Sequence, residues 1–266
     1  MRGCGLRLTP HQRALVCSAG HLFDIARSGY VNLLQPQDRR SLSAGDSKEA
    51  VDARAALEQA GVGRAIVDAV IQKTVALALP VDAIVVDLGS GTGEMLGRLA
   101  STHALFGVGI DLSVAAVEHA ARRFPSATWC VANADRRLPL PDGSIDVVLS
   151  IHGRRNPAEC SRVLKPNGAL IVVLPAPDDL IELRTLVQGD AVERTRVDGM
   201  LAEHQPFFTV VERTDIRETV ELDRPALLDL LRGTYRGARV SNATRVEALE
   251  RLPVTFSSHL VMFRRM

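Results

Sequence analysis

A glycine-rich turn between a short apolar run and a helix-like segment is the feature that most constrains how this chain can fold. Residues 83–86 are an apolar, largely β-branched run that ends in Asp87, and Gly89, Gly91 and Gly93 follow at alternate positions. Glycine lets the backbone approach a ligand closely, and the first N–H groups of a helix point at whatever lies above the sheet. The spacing differs from the G-x-G-x-x-G of dinucleotide binders, so it favours a ligand with a carboxylate and an amine over a pyrophosphate.

Four more apolar segments follow the turn in an order typical of a parallel sheet. They are residues 105–110, 127–132, 145–151 and 169–174. The first is closed by Asp111, about twenty residues after the turn, where an acidic residue usually accepts hydrogen bonds from the two hydroxyls of a ribose. The second is followed by Asn133-Ala134-Asp135, whose polar groups suit the edge of an adenine. This ordered series resembles the class I S-adenosylmethionine-dependent methyltransferases; a Rossmann-like domain for another nucleotide is the alternative.

The resemblance implies a Rossmann-like α/β domain with a seven-stranded sheet. Its last hairpin would be formed by residues 207–222 and 254–264, which alternate like long antiparallel strands. The glycines would shape the pocket for the methionine, Asp87 would orient its amine, and Asp111 would hold the ribose. The predicted cofactor-binding residues are Asp87, Gly89, Ser90, Gly91, Gly93, Asp111, Leu112, Asn133, Ala134 and Asp135.

The composition provides an ample core and no overall attraction to nucleic acid. Hydrophobic residues make up 46% of the chain and charged ones 24%, which is ordinary for a soluble globular protein. The net charge is +1, so any binding to nucleic acid must use a local patch. Apolar runs are too short for a membrane span, and the N-terminus lacks a signal-peptide core. Four scattered cysteines do not suggest a disulfide framework, and we expect a cytoplasmic location.

The N-terminal segment suggests a small module of the zinc-ribbon type. Cys17 and His21 make a plausible pair of zinc ligands, and Cys4 lies on the other side of the intervening turn. The first pair is incomplete, because Arg7 stands where a C-x-x-C motif would place its second thiolate. Structural zinc needs four ligands. Either His11 supplies the fourth, or the module is metal-free and leans on the rest of the chain.

A more specific resemblance follows from the next segment. Residues 23–34, together with Cys17-x-x-x-His21 and Gly45-Asp46, resemble the N-terminal signature of the bacterial 23S rRNA (guanine-N1)-methyltransferases. That family includes the tylosin- and mycinamicin-type resistance enzymes. The resemblance implies methyl transfer to guanine N1 in 23S rRNA, and a four-ligand zinc module that helps to hold an rRNA hairpin. A two-fold dimer is common for such a family.

The chain divides into three predicted regions: a zinc-finger-like module at residues 1–40, a helical bridge at 41–80 and the methyltransferase domain at 81–266. In the bridge, Asp46 or Ser47 can cap a helix over residues 48–60, and a second helix is predicted over about 64–79. Later helices are predicted up to residue 186, over 224–231 and over about 242–252.

The loop that follows the predicted strand at residues 145–151 should border the transferred methyl, because ligands of this fold bind outside the carboxyl ends of the strands. His152, Arg155 and Asn156 are the candidates for a catalytic role. Arg155 and Asn156 match the family's Phe-Ala-Pro-Arg-Asn, whereas residues 152–154 depart from it. An imidazole titrates near neutrality and could exchange a proton, or it could replace a packing aromatic ring. The Arg154-Arg155 pair could neutralise an RNA phosphate.

Departures from the family at Arg7, Gly63, residues 152–154 and Asp179 fall on metal, cofactor-lid and substrate positions. Three functions therefore stay open: an rRNA guanine-N1 methyltransferase, including a self-resistance enzyme; a small-molecule methyltransferase; and a non-catalytic relative that binds RNA or a protein. The first predicts a basic groove that joins the N-terminal module to the Arg154-Arg155 loop. With 4% aromatic residues, base stacking has few candidates, namely Tyr30, Trp129 and Tyr235.

Overall fold

The computed structural model of the protein describes residues 4–34, 45–188, 196–234 and 245–266. The strands within these ranges are β1 (Thr9–His11), β2 (Ala14–Val16), β3 (Leu22–Asp24), β4 (Val31–Asn32), β5 (Ala83–Leu88), β6 (Leu105–Asp111), β7 (Thr128–Val131), β8 (Ile145–Ile151), β9 (Leu164–Pro175), β10 (Phe208–Asp223) and β11 (Arg251–Arg265). The helices are α1 (Lys48–Gln59), α2 (Arg64–Val75), α3 (Glu94–Thr102), α4 (Val114–Arg123), α5 (Pro157–Val163), α6 (Ile181–Gln188), α7 (Val197–His204) and α8 (Arg224–Thr234).

One mixed sheet organises the molecule, in the order β10-β11-β9-β8-β5-β6-β7-β4. The strands from β9 to β7 pair in parallel, while β11 runs antiparallel to both β9 and β10. The chain order reverses at β5, which lies between β6 and β8, so a crevice opens there at the carboxyl ends of the strands. The predicted α/β class I fold is confirmed, with β4 as an eighth strand beside the expected seven.

The N-terminal segment is built into this sheet. Strands β1, β2 and β3 form a small antiparallel sheet, and β4 then pairs in parallel with β7. Leu15, Phe23 and Ile25 pack against the large cluster of buried side chains on one face of the main sheet. The small sheet therefore shares the hydrophobic core of the methyltransferase domain. The predicted domain boundaries stay predictions.

The helical bridge follows the sequence signals closely. Ser47 caps α1, since its hydroxyl accepts a hydrogen bond from the Ala50 N–H at 3.3 Å. The left-handed Gly63 precedes α2. That helix is shorter than predicted because Ala78 adopts a φ of 49° and Pro80 follows soon after. Within the described ranges, no helix has the length and apolar character that a bilayer span requires.

The C-terminal third differs from the predictions in two places. Helix α7 has no counterpart among the predicted elements. The helix predicted up to about residue 252 is wrong at its end, because β11 already begins at Arg251, which lies opposite Asp223 of β10. The long hairpin gains ladder hydrogen bonds there that a helix would forfeit. Residues 242–244 of that predicted helix lie outside the described residues.

Two glycines within helices differ in the space that surrounds them. A Cβ built on Gly97 in α3 would lie 2.3 Å from the Phe124 ring, whereas one built on Gly199 in α7 meets nothing within 4 Å. Alanine normally stabilises a helix by about 1 kcal/mol relative to glycine. At position 97 the steric clash outweighs that gain, since overpacking a core costs about 1–3 kcal/mol.

We expect Gly97→Ala to lower the free energy of unfolding and Gly199→Ala to raise it slightly. Urea denaturation of the two variants beside the wild-type protein measures both changes. A Gly97→Ala variant as stable as Gly199→Ala would contradict the close packing of α3 on Phe124.

Candidate cofactor and substrate site

The glycine turn joins β5 to α3 at the point where the strand order reverses. Gly89, Gly91 and Gly93 all have positive φ, at 80°, 52° and 82°. A Cβ on Gly93 would lie 2.6 Å from the Trp129 ring, so the turn is packed tightly from below. A side chain at any of these positions would meet backbone strain, because L-residues disfavour this region. The sequence pattern is therefore a steric requirement of the turn.

Asp111 lies across from this turn, as its position in the sequence suggested. Its carboxylate accepts hydrogen bonds from the Gly91 N–H at 2.9 Å and from the Ser113 N–H at 2.8 Å. Burial raises the pKa of Asp111, while these two N–H donors oppose the rise. A carboxylate oxygen can accept more than one hydrogen bond, so each oxygen retains lone pairs for the hydroxyls of a ribose.

Two buried polar atoms near the turn have no hydrogen-bond partner among the described residues. They are Oδ1 of Asp87 and Oγ of Ser90. Burial, together with the nearby Asp111 carboxylate, raises the pKa of Asp87 to about 7. Buried polar groups without partners are rare in folded proteins and indicate a missing ligand or solvent. The ammonium group of an amino-acid ligand would satisfy Asp87, so these residues fit S-adenosylmethionine.

The predicted adenine side lies where β7 ends. The Asn133 side-chain oxygen accepts a hydrogen bond from the Asp135 N–H at 2.9 Å, which fixes this short loop. The Asp135 carboxylate pairs with Arg154 at 3.0 Å. Leu112 and Ala134 are half-buried. The loop after β7 is thus tied to the loop after β8, and adenine contacts by these residues stay a prediction.

The loop after β8 lies directly against the glycine turn. A Cβ on Gly153 would be 2.5 Å from the Leu88 carbonyl oxygen, so only glycine fits there. His152 adopts a φ of 52°, and its Nε2 shares a 2.9 Å hydrogen bond with the hydroxyl of the buried Ser258. Much of the His152 residue is exposed, yet burial of the ring lowers its pKa to about 4. This imidazole is neutral at physiological pH.

Arg155 is held by a histidine that sequence reasoning missed. Its Nε donates to Nε2 of His204 at 3.1 Å. Nδ1 of His204 donates to the Met200 carbonyl at 2.7 Å, which leaves Nε2 as the acceptor, and burial lowers the pKa of His204. The Arg155 guanidinium also contacts the Gly153 carbonyl at 3.4 Å. No described carboxylate forms an ion pair with it. Burial lowers the pKa of Arg155, and Glu203 opposes that shift from a distance without forming an ion pair. A half-buried cation held in this way favours an anionic partner.

Asn156 has a local structural role. Its side-chain oxygen accepts hydrogen bonds from the N–H groups of Ala158 and Glu159, at 3.1 and 3.3 Å, and so caps α5. Its amide lies 3.5 Å from the Asp135 carbonyl. Of the three candidates for a catalytic role, Asn156 therefore orients the loop, His152 is a weak base, and Arg155 presents charge.

The metal-binding residues predicted in the N-terminal module are brought together in part. Cys4, Cys17 and His21 have ligand atoms within 4.8 Å of one another, and Sγ of Cys17 lies 3.3 Å from Nδ1 of His21. His11 is exposed on β1 and does not belong to this group. Three N or S ligands fit zinc, and among the described residues no fourth ligand completes the tetrahedral site.

Burial excludes one of the three aromatic residues predicted as candidates for stacking on a base. Trp129 is only 1% exposed, and its indole N–H donates to the Phe124 carbonyl at 2.8 Å. It supports the glycine turn from below and cannot reach a target base, so it is wrong as a stacking residue. Tyr30 is half-buried beside the core, and Tyr235 lies outside the described residues.

Comparison with known proteins agrees with this geometry. The family described as "Methyltransferase domain" matches residues 85–168, and "RlmA, N-terminal" matches residues 4–42. The chain is 40% identical to a 23S rRNA (guanine(748)-N(1))-methyltransferase of Streptomyces fradiae, over 84% of this chain and 80% of that one. A Micromonospora griseorubida protein, provisionally named a 23S rRNA guanine-N1 methyltransferase, is 34% identical over 90% and 89%. A solved structure from Bacillus halodurans, provisionally described as a methyltransferase, has a TM-score of 0.53 at 17% identity, over 73% and 97%.

A chain with this strand order and this domain match is an S-adenosylmethionine-dependent methyltransferase of class I. The Bacillus halodurans structure supports the fold alone, because its sequence identity is low. The Streptomyces fradiae relative carries the finer conclusion: with 40% identity over most of both chains, this protein belongs to the 23S rRNA (guanine-N1)-methyltransferase family. The predicted family and cofactor are confirmed.

The pKa of Asp87 predicts how cofactor binding depends on pH. Below about pH 7 the Asp87 carboxyl is protonated and cannot pair with an ammonium group. Affinity for S-adenosylmethionine should therefore rise with pH up to about 7, by close to tenfold per unit well below that value. It should fall again above about pH 8, where an α-amino group loses its proton. Calorimetry across pH 5.5–8.5 measures this profile, and an Asp87→Asn variant with the same acid limb would contradict the assignment.

Proposed function

We propose that the protein methylates N1 of a guanine in a hairpin of 23S rRNA, in the cytoplasm where ribosomes are assembled. The observation that best supports this proposal is that the small N-terminal sheet packs on the same cluster of buried side chains as Met200 of α7 and Phe208. Helix α7 supplies His204, which holds Arg155. The N-terminal module, which we expect to bind RNA, and Arg155, which we expect to lie near the acceptor, are thus connected through one cluster of buried side chains.

Arg155 suits the chemistry of this acceptor. The sulfonium is already activated, so transfer mainly needs alignment and loss of the guanine N1 proton. As that proton leaves to solvent water, negative charge spreads onto the guanine O6. We infer that Arg155, which forms no ion pair with a described carboxylate, stabilises that charge. His152 is a poor base for this proton because its imidazole has a pKa of about 4, and its role is to shape the loop.

Binding to RNA would depend on a local patch, since the net charge is only +1. Exposed arginines are present on both the N-terminal module and the loops after β7 and β8. They are Arg7, Arg13, Arg27, Arg136, Arg137 and Arg154. Phosphate contacts of this kind orient an RNA without reading its sequence. A two-fold dimer and a role in drug self-resistance remain predictions.

A small-molecule acceptor is the second candidate, because Gly63 and residues 152–154 depart from the family pattern on the cofactor-lid and substrate side. A methyl-transfer assay that offers 23S rRNA hairpin transcripts and a metabolite extract side by side separates the two. We expect 1-methylguanosine in nuclease digests of one transcript by mass spectrometry. Label that enters only the metabolite fraction would contradict the RNA assignment.

Arg155→Gln should lower kcat by about 10²–10³-fold, as removal of an oxyanion donor does. Its affinity for S-adenosylmethionine should stay unchanged. The neighbouring Arg154→Gln is the matched variant: Arg154 is exposed and pairs only with Asp135 among the described residues, so its effect should fall on KM for RNA. Steady-state kinetics on the hairpin transcript measure both. A loss confined to KM in both variants would contradict a catalytic role for Arg155.

We further propose that Cys4, Cys17 and His21 hold a zinc ion that stabilises the N-terminal module. With Arg7 in place of a fourth thiolate, this ion is bound less tightly than in a four-ligand site. Arg7→Cys should raise the zinc affinity by at least about tenfold, since complete sites contribute folding energy outright. Competition with a chromogenic chelator measures the affinity, and His11→Ala is the control. Equal affinity in wild-type and Arg7→Cys protein would contradict the three-ligand assignment.

A further inference from the structure

Arg54 of α1 reaches over the glycine turn, although nothing in its sequence context marks it as a cofactor residue. A Cβ built on Gly91 would lie 3.5 Å from Nη1 of Arg54, which makes the guanidinium the nearest side chain to the open face of that glycine. The side chain is 30% exposed. It is neither a core residue nor a freely solvated one, and it borders the space above the turn.

The guanidinium is held in place from two sides. Its Nη2 donates to the Asp46 carboxylate at 2.6 Å and to the Gly233 carbonyl at 3.2 Å. Asp46 precedes α1, and Gly233 lies near the end of α8, so two separate segments orient one side chain. Both contacts use Nη2. Among the described residues, no acceptor bonds to Nη1, the nitrogen nearest Gly91.

Several carboxylates surround the glycine turn, so an anionic ligand group would need a cation nearby. The Asp87 carboxylate is buried just before the turn, and the Asp111 carboxylate accepts a hydrogen bond from the Gly91 N–H. Glu58 accepts a hydrogen bond from the Thr92 hydroxyl at 2.6 Å. A ligand carboxylate that entered this surrounding would be repelled. Arg123 is the other cation nearby, and it pairs with Glu94 at 2.8 Å. Arg54 therefore provides the positive charge next to the turn itself.

We propose that Arg54 binds the carboxylate of the methionyl group of S-adenosylmethionine through Nη1. Asp87 would then pair with the ammonium of the same group, so that the two charges of the amino acid meet opposite charges on the two sides of the turn. Asp46 and Gly233 position the guanidinium before the ligand arrives, which reduces the ordering cost of binding. The assignment does not depend on the identity of the methyl acceptor.

Removing the carboxylate from the ligand and the guanidinium from the protein tests this contact directly. Calorimetry on the full-length protein compares S-adenosylhomocysteine with S-adenosyl-3-thiopropylamine, its decarboxylated analogue, which keeps the amine, thioether and nucleoside. In the wild-type protein the analogue should bind about 10–100-fold more weakly, the range expected for hydrogen bonds between charged groups. In Arg54→Gln the two ligands should bind with nearly equal affinity.

Two further variants distinguish a direct contact of Arg54 with the ligand from a general effect on the fold. Arg123→Gln removes a nearby cation that does not face Gly91, and it should preserve the wild-type ratio of the two affinities. Arg54→Lys keeps the charge on a folded protein and should give an intermediate ratio. The proposal is overturned if the ratio in Arg54→Gln equals that of the wild-type protein, because equal weakening of both ligands would mean that Arg54 only holds α1 in place. A wild-type protein that does not distinguish the two ligands would also overturn it.

Discussion

The backbone of the glycine turn is held against the end of the neighbouring strand, and the cofactor site depends on that contact. The N–H groups of Gly89 and Ser90 donate to the Ile110 carbonyl at 2.8 and 3.2 Å, and the next residue, Gly91, donates to the Asp111 carboxylate. The acidic residue that would hold the ribose is thereby fixed to the loop that would hold the methionine. A ligand does not need to organise these groups, because the parallel pairing of β5 and β6 has already done so.

The loop after β8 is fixed against the same turn through a different contact. Gly153 lies against the Leu88 carbonyl, so the loop that carries Arg155 starts within van der Waals distance of the cofactor turn. His204 then orients Arg155 from α7, and its ring stacks on Phe263 with centroids 5.1 Å apart. A histidine in the core thus fixes the position of the Arg155 guanidinium. The loop that carries Arg155 and the glycine turn are thus brought close by packing of the protein.

The parts of the site that sequence reasoning could find are those encoded locally. The glycines and Asp111 follow from a turn and from the length of one β-α-β unit, and Ser47 follows from helix capping. Arg54 and His204 could not be found, because their roles arise from contacts with residues 91 and 155, far along the chain. Trp129 was misjudged for the same reason: an aromatic residue in a strand gives no indication whether it faces the core. The partner strand of β4 likewise depends on tertiary packing, since two residues carry no register signal.

A crystal structure of the protein with S-adenosylhomocysteine tests the central claim most directly. The account predicts the ribose hydroxyls within hydrogen-bond distance of Asp111, and the amino-acid group above the glycine turn with its amine at Asp87. A nucleoside bound elsewhere, or a hollow occupied by the protein's own side chains with Asp111 turned away, would contradict it.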